Sequence, residues 1–162
     1  KSEGFSNFIL AIHHLGEIIE NYFGDGSSIG VNISYLREKS PLGTAGALSL
    51  ISQKPNTPLI VINGDVITDI CYEDLLNFHL QNGATATMAV QVYESQIPYG
   101  IVKIEGTDIV GFEEKPLQRF LINAGVYVLE PSCLDMLEPN RVTFMTDFIE
   151  SLSQNEIGRA HV

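Results

Sequence analysis

Tryptophan is missing from this chain, and cysteine occurs only twice, at Cys71 and Cys133. With no CxxC spacing and no Cys/His cluster around them, the two read as reduced thiols of a cytoplasmic protein. Basic residues are scarce, 9 against 20 acidic ones, for a net charge of -11. Duplex DNA and RNA are gripped by clustered Lys and Arg that neutralise phosphates, so nucleic acid is excluded as a partner. A nucleotide site survives this exclusion, because one or two cations and a metal can serve it. No apolar run approaches the ~18 residues that a membrane span requires. The opening "KSEGFSNFIL" lacks the apolar stretch and cleavage site of a signal peptide, so no membrane partner is expected. Also absent are HExxH, the Walker-type GxxxxGK[ST], and a GxGxxG following a strand. The last absence removes a generic dinucleotide binder.

What remains is a chain of 162 residues, 44% hydrophobic and rich in glycine (14), enough for the core of one domain. "FSNFILAI" has strand length, and "HLGEIIENYFG" spaces Leu15, Ile18, Ile19, Tyr22 and Phe23 for one helix face, with Gly24 as its stop. "VNISYLRE" alternates like a half-buried strand. A helix is expected over 45–52. "LIVING" is continuously apolar up to Asn63 and suits a strand buried on both faces. Residues 74–82 read as a helix with Asp69 as its capping candidate, and 84–92 as a strand. "YGIVKIEG" and "DIVGFEE" read as two strands joined at Gly106-Thr107, "RFLINAGVYVLE" as a long strand, "PSCLDML" and "MTDFIESLSQ" as helices. The alternation in the first half predicts βαβ units and a mostly parallel sheet, and the adjacent strands later make it mixed.

Four stretches can carry chemistry. Asn63-Gly64-Asp65 stands where a parallel strand ends, the place where open α/β sheets bind ligands. A carboxylate there suits Mg²⁺, although an Asp in a turn or at a helix N-cap is the commoner reading of this motif alone. "SPLGTAG" (40–46) puts two glycines ahead of a helix, either to bring bare backbone N–H groups near a ligand or simply to turn the chain. "FEEKP" (112–116) offers a carboxylate for sugar hydroxyls and an ammonium for phosphate, or a solvated loop. "NAGVYV" sets Gly125 inside a strand, which marks a close approach of ligand or of backbone. His13, His14 and His79 lack ligand spacing and read as surface or helix-start histidines.

"YLREKSPLGTAGAL", "VINGDVI", "PYGIVKI", "GFEEKP" and "NAGVYVLEP" follow one another in a specific order. That order resembles the sugar-phosphate nucleotidyltransferases, nearest their mannose-1-phosphate guanylyltransferase branch. The resemblance implies a Rossmann-like nucleotide-diphospho-sugar transferase core, an α/β fold with helices flanking the sheet. It implies a nucleotide-binding part over 1–92 and a sugar-binding part over 93–162 of a single domain. Leu42, Gly43, Thr44, Ala45 and Gly46 would lie along the base and ribose, with Asn63 and Gly64 beside them. Asp65 would hold the catalytic Mg²⁺, Gly100 would lie against the sugar, and Glu114 and Lys115 would bind its hydroxyls and phosphate. Asn123 and Gly125 would complete the sugar pocket, with Asp65 and Lys115 as the catalytic pair. The implied partners are a nucleoside triphosphate and a sugar-1-phosphate, and the implied reaction is GMP transfer from GTP in nucleotide-sugar biosynthesis. Thymidylyl, uridylyl or cytidylyl transfer, or a silent regulatory homologue that binds nucleotide-sugar, are alternatives. Two family parts, a "GGxGTRLxPLT" loop and an aspartate in a "W-x-D-I-G"-like segment, do not occur in the chain. The resemblance therefore implies a fold incomplete at both ends, negligible transferase activity for the piece, and a homo-oligomer formed through open strand edges.

Overall fold

The computed structural model describes residues 1–153 and 158–161. Strand β1 (Asn7–Ile12) runs parallel to β2 (Asn32–Arg37), in register from Asn7↔Asn32 to Ile12↔Arg37. Helix α1 (Gly16–Phe23) connects them and stops at Gly24, whose φ of 55° leaves the helical range while its N–H donates to Glu20 O. The expected apolar stripe of α1 exists, but the described residues cover it only in part, at Ile19 and Phe23. Leu15, Ile18, Ile19, Tyr22 and Phe23 are all exposed.

The main sheet is ordered β3 (Leu59–Ile62), β7 (Leu117–Leu129), β4 (Ala86–Gln96), β8 (Gly158–His161). Strands β3 and β4 pair antiparallel to β7, and β8 pairs parallel to β4. Three of the four strands thus share one direction, with β7 opposed between two of them. The mixed α/β architecture is present, while parallel pairing among the described residues is confined to β1·β2 and β4·β8. The reason lies in the connection from β4 to β7, which is no helical crossover. It carries the antiparallel hairpin of β5 (Ile101–Glu105) and β6 (Asp108–Glu113), which turns at Gly106-Thr107 as expected. The tail from 158 forms β8, a strand that its sequence did not announce. Gln154, read as the end of the last helix, lies outside the described residues.

Two buried clusters cover the two faces of β7. Tyr127 and Leu129 join Phe148 and Leu152 of α4 (Met145–Ser153), together with Cys133, Leu134 and Leu137. Val126 and Val128 join Leu75 of α3 (Tyr72–Asn82) and Ala89. The strand buried on both faces is therefore the end of β7 rather than "LIVING". Strand β3 is only half-buried, with Ile62 exposed, because its second edge meets no strand among the described residues. The cap of α3 also differs from expectation. Asp69 takes no part, and the Glu3 carboxylate accepts the N–H groups of Tyr72 at 2.7 Å and Glu73 at 3.1 Å. An acid at the positive helix end satisfies donors that α3 leaves open. The helix expected over 45–52 is shorter: α2 (Gly43–Gly46) is a single turn that tightens into a 3-10 turn over Ala47–Leu50.

Candidate active site

The glycines of 40–46 face their own chain. Gly43 has φ +78°, and a Cβ on it would come within 2.6 Å of Thr143 O; one on Gly46 would meet Arg141 O at 2.7 Å. Strand-like bonds tie this strap down: Ala45 N–H and Gly46 N–H donate to Thr143 O at 3.0 and 3.2 Å, and Thr143 N–H donates to Leu42 O at 2.8 Å. The Thr44 hydroxyl accepts Met145 N–H at 2.7 Å, which caps α4, and Leu42 N–H donates to a Glu38 carboxylate oxygen at 2.7 Å. Of the two readings of these glycines, close backbone approach is the one on display, with backbone as the neighbour. The amides of Gly43 and Thr44 keep no partner among the described residues.

Beyond β3, the chain folds over β7. Asn63 N–H donates to Gly125 O at 3.0 Å, and Val66 N–H closes a turn on Asn63 O at 3.2 Å. Opposite, Met88 pairs with Tyr127 but Val90 pairs with Asn123, so 124–126 bulge against Ala89 alone. Gly125 makes the bulge possible with φ +71°, and a Cβ there would strike Val66 Cγ2 at 2.7 Å and Asn63 Nδ2 at 3.1 Å. The Asn123 side chain accepts Gly125 N–H at 2.9 Å and donates to Tyr127 Oη at 2.6 Å. Asn63, Asn123 and Gly125 are thereby gathered at one place, with Gly64 and Asp65 exposed on the turn above it. The Asp65 carboxylate has no hydrogen-bond or ion-pair partner among the described residues.

The other candidates sit farther out. A Cβ on Gly100 would lie 2.9 Å from a Glu114 carboxylate oxygen, so the "YG" and "EKP" stretches do meet. Lys115 takes a left-handed φ of 46°, its carbonyl accepts from Gln96, and its ammonium is exposed without a partner among the described residues. From Leu117 to Asn123 lie six strand steps, roughly 20 Å of chain. The structure thus forms two groups, Asn63/Asp65/Asn123/Gly125 and Gly100/Glu114/Lys115, at the two ends of an exposed ribbon. Among the described residues no three His, Cys, Asp or Glu converge as a metal cage. One free carboxylate fits a cation such as Mg²⁺, which takes one or two protein oxygens and fills its shell with water and phosphate.

Two open recesses lie elsewhere, and neither is lined by any of these candidates. One, of about 430 Å³, sits at the carboxyl ends of β1 and β2 between His13, Leu15, Arg37 and Glu38. The other, of about 420 Å³, lies at their opposite ends around Asp25 and Asn32. His79, read as a surface histidine, is fully buried: Nδ1 lies 2.8 Å from Thr87 Oγ1 and Nε2 lies 3.2 Å from a Glu130 carboxylate oxygen. The signal was its spacing, four residues after Leu75 on the buried face of α3. Cys133 is buried too, its thiol pushed up to about 11 by desolvation, which makes it a packing residue rather than a nucleophile.

A family model described as nucleotidyl transferase matches residues 1–161. The chain is 34% identical over 158 residues to the mannose-1-phosphate guanylyltransferase catalytic subunit beta of Dictyostelium discoideum, covering 93% of this chain and 44% of that protein. It is 36% identical over 161 residues to the mannose-1-phosphate guanyltransferase of Yarrowia lipolytica, covering 94% and 44%. The chain thus spans less than half the length of these curated relatives. Among solved structures, HddC from Yersinia pseudotuberculosis superposes with a TM-score of 0.68 at 20% identity, covering 99% of this chain and 71% of that one. At that identity the likeness speaks for the fold alone.

Proposed function

Because this chain belongs to the nucleotidyl transferase family, we propose that it forms the core of an enzyme that transfers GMP from GTP to mannose-1-phosphate, releasing pyrophosphate. The choice of base and sugar rests on relatives that carry those substrates in their names. The observation that supports a site in this chain is the junction of Asn63 with Gly125, which joins the turn that carries Asp65 to the bulge beside Asn123. Residues 1–92 serve the nucleotide and 93–162 the sugar.

An anionic oxygen of the sugar phosphate attacks the α-phosphorus. The new P–O bond forms as the bond to the bridging oxygen breaks, and pyrophosphate leaves with that electron pair. No proton must move, so the protein's work is positioning and charge neutralisation. Mg²⁺ on Asp65 would supply positive charge at the α-phosphate. The unpartnered N–H groups of Gly43 and Thr44 face the base, since those of Ala45 and Gly46 are committed to Thr143. Asn123 and Glu114 hold sugar hydroxyls, and the Lys115 ammonium holds the sugar's phosphate once the ribbon brings its far end over the acceptor. The working protein is a cytoplasmic homo-oligomer.

Thermal shift of the 162-residue chain with Mg²⁺ and GTP, dTTP, UTP, CTP or GDP-mannose tests the reading. A ligand at a hundredfold excess over Kd adds about 2.7 kcal/mol. GTP and GDP-mannose are expected to shift Tm most, and Asp65→Asn to remove the Mg²⁺-dependent part. A chain that gains nothing from any of the five overturns the proposal.

A further inference from the structure

The Asn123 amide is exposed yet held at both ends. Its Oδ1 accepts Gly125 N–H at 2.9 Å, and its Nδ2 donates to Tyr127 Oη at 2.6 Å. Turning the amide over would set its NH₂ against the Gly125 donor, so only one orientation is satisfied. An Asn side chain has two N–H donors and two acceptor lone pairs. One of each is used here, which leaves one donor and one acceptor side by side. A pair of neighbouring sugar hydroxyls matches that pattern, one donating to Oδ1 and the other accepting from Nδ2.

The anchor of this arrangement lies inside the core. Tyr127 is 1% exposed, in the buried cluster that also holds Leu129, Met145 and the Ala45 of the glycine turn. Packing alone needs only its ring, and a phenylalanine would fill that space. The hydroxyl is the part that reaches the bulge. We propose that Tyr127 is a positioning residue for the sugar: its buried hydroxyl holds the Asn123 amide ready as a donor–acceptor pair for vicinal hydroxyls. This rests on the function proposed above and adds to it a residue outside the surface of the site. A fixed amide loses little rotamer freedom when ligand binds, whereas a loose one must be ordered first.

Tyr127→Phe keeps the ring and removes the hydroxyl. Calorimetric titration of the wild-type chain and of this variant uses three probes: GDP, GDP-mannose and mannose-1-phosphate. The expected result is about fivefold weaker binding of the two sugar-bearing probes, GDP affinity unchanged, and Tm nearly unchanged. Asn123→Ala is expected to weaken the same two probes, and adding Tyr127→Phe to it to change nothing further, since the hydroxyl acts through the amide. Wild-type binding of GDP-mannose that Tyr127→Phe leaves intact overturns this inference alone. So does an equal loss for all three probes with a fall in Tm, which marks a purely structural tyrosine. A wild-type chain that binds none of the three removes the proposed function and this inference with it.

Discussion

Strand β7 is two different environments on one piece of backbone. Residues 126–129 are at most 1% exposed, while Phe120 and Leu121, on the same strand, are 48% and 62% exposed. Both ends carry large apolar side chains and both pair with β4. What separates them is cover, since α3 packs on one face of the buried end and α4 on the other, and neither reaches the ribbon. Apolar strand sequence therefore states what a segment needs, and the helices decide whether it is met. The bulge at 124–126 marks the border, and it is there that the structure gathers Asn63, Asn123 and Gly125.

The sharpest way to break this comparison is to truncate one leucine at each end. Leu129→Ala leaves a cavity in a fully covered cluster and is expected to cost about 2–5 kcal/mol. Leu121→Ala removes a side chain already in water and should stay within about 0.5 kcal/mol. Denaturant midpoints of the two variants check this, and equal costs would mean that the ribbon is covered in solution.

Glycine substitutions sharpen the contrast at smaller magnitude. Gly43 and Gly106 both hold positive φ, 78° and 61°. At Gly106, in the β5–β6 turn, an added Cβ meets nothing within 4 Å, so Gly106→Ala should cost only the left-handed backbone penalty, about 1–2 kcal/mol. At Gly43 the same penalty is joined by a 2.6 Å clash with Thr143 O, and the strap over 141–145 must shift. Gly43→Ala is thus expected to lower Tm clearly more than Gly106→Ala. A smaller drop would show that the strap is not firmly seated.

These positions also show what the residues disclosed in advance. The β5–β6 hairpin, α3, and the long β7 were legible, because their periodicity and turn residues are local signals. The glycines of 40–46 and Gly125 were legible as close approaches, yet their partners were not. Thr143 lies about a hundred residues beyond Gly43, and nothing in "NRVTFM" advertises a strap. The cap of α3 failed for the same reason: Asp69 is next to the helix, whereas Glu3 is 69 residues from Tyr72 and arrives only through the fold. His79 is hidden by its residue type, and only its spacing from Leu75 points to the buried face of α3. The tail that forms β8 is too short to show a strand period. At the candidate site, the types and order of residues were readable, and the length of ribbon between Lys115 and Asn123 was not.

The two cysteines probe the same division chemically. Cys71 is exposed and Cys133 buried, its Sγ donating to Thr85 O at 3.2 Å. Burial raises the Cys133 thiol from its ordinary 9.0 to about 11. Below pH 9 the thiol is protonated in both folded and unfolded chains and nothing changes. Between pH 9 and about 11 the unfolded thiol ionises first, so stability falls with rising pH. Cys133→Ala should flatten that part of the pH profile, at the cost of a small cavity. Iodoacetamide at pH 8 should label Cys71 and spare Cys133 until the chain is unfolded, and mass spectrometry of the alkylated peptides reads this directly.

The smallest effect on stability is expected where association is at stake. Along the ribbon, residues 91–96 of β4 and 117–122 of β7 have outer backbone edges that meet no strand among the described residues, and their only charges, Glu94 and Arg119, pair with each other at 2.6 Å. A surface neutral within itself, on a chain of net charge -11, is where a second copy meets least repulsion. Leu121→Lys puts a charge on that surface without touching the core. It should leave the denaturant midpoint within about 0.5 kcal/mol of wild type while shifting the chain toward monomer in light scattering. If the wild-type chain is already monomeric at high concentration, the ribbon is not a meeting surface for copies of this chain. If Leu121→Lys instead unfolds it, the ribbon belongs with the covered end, and the division drawn along β7 is wrong.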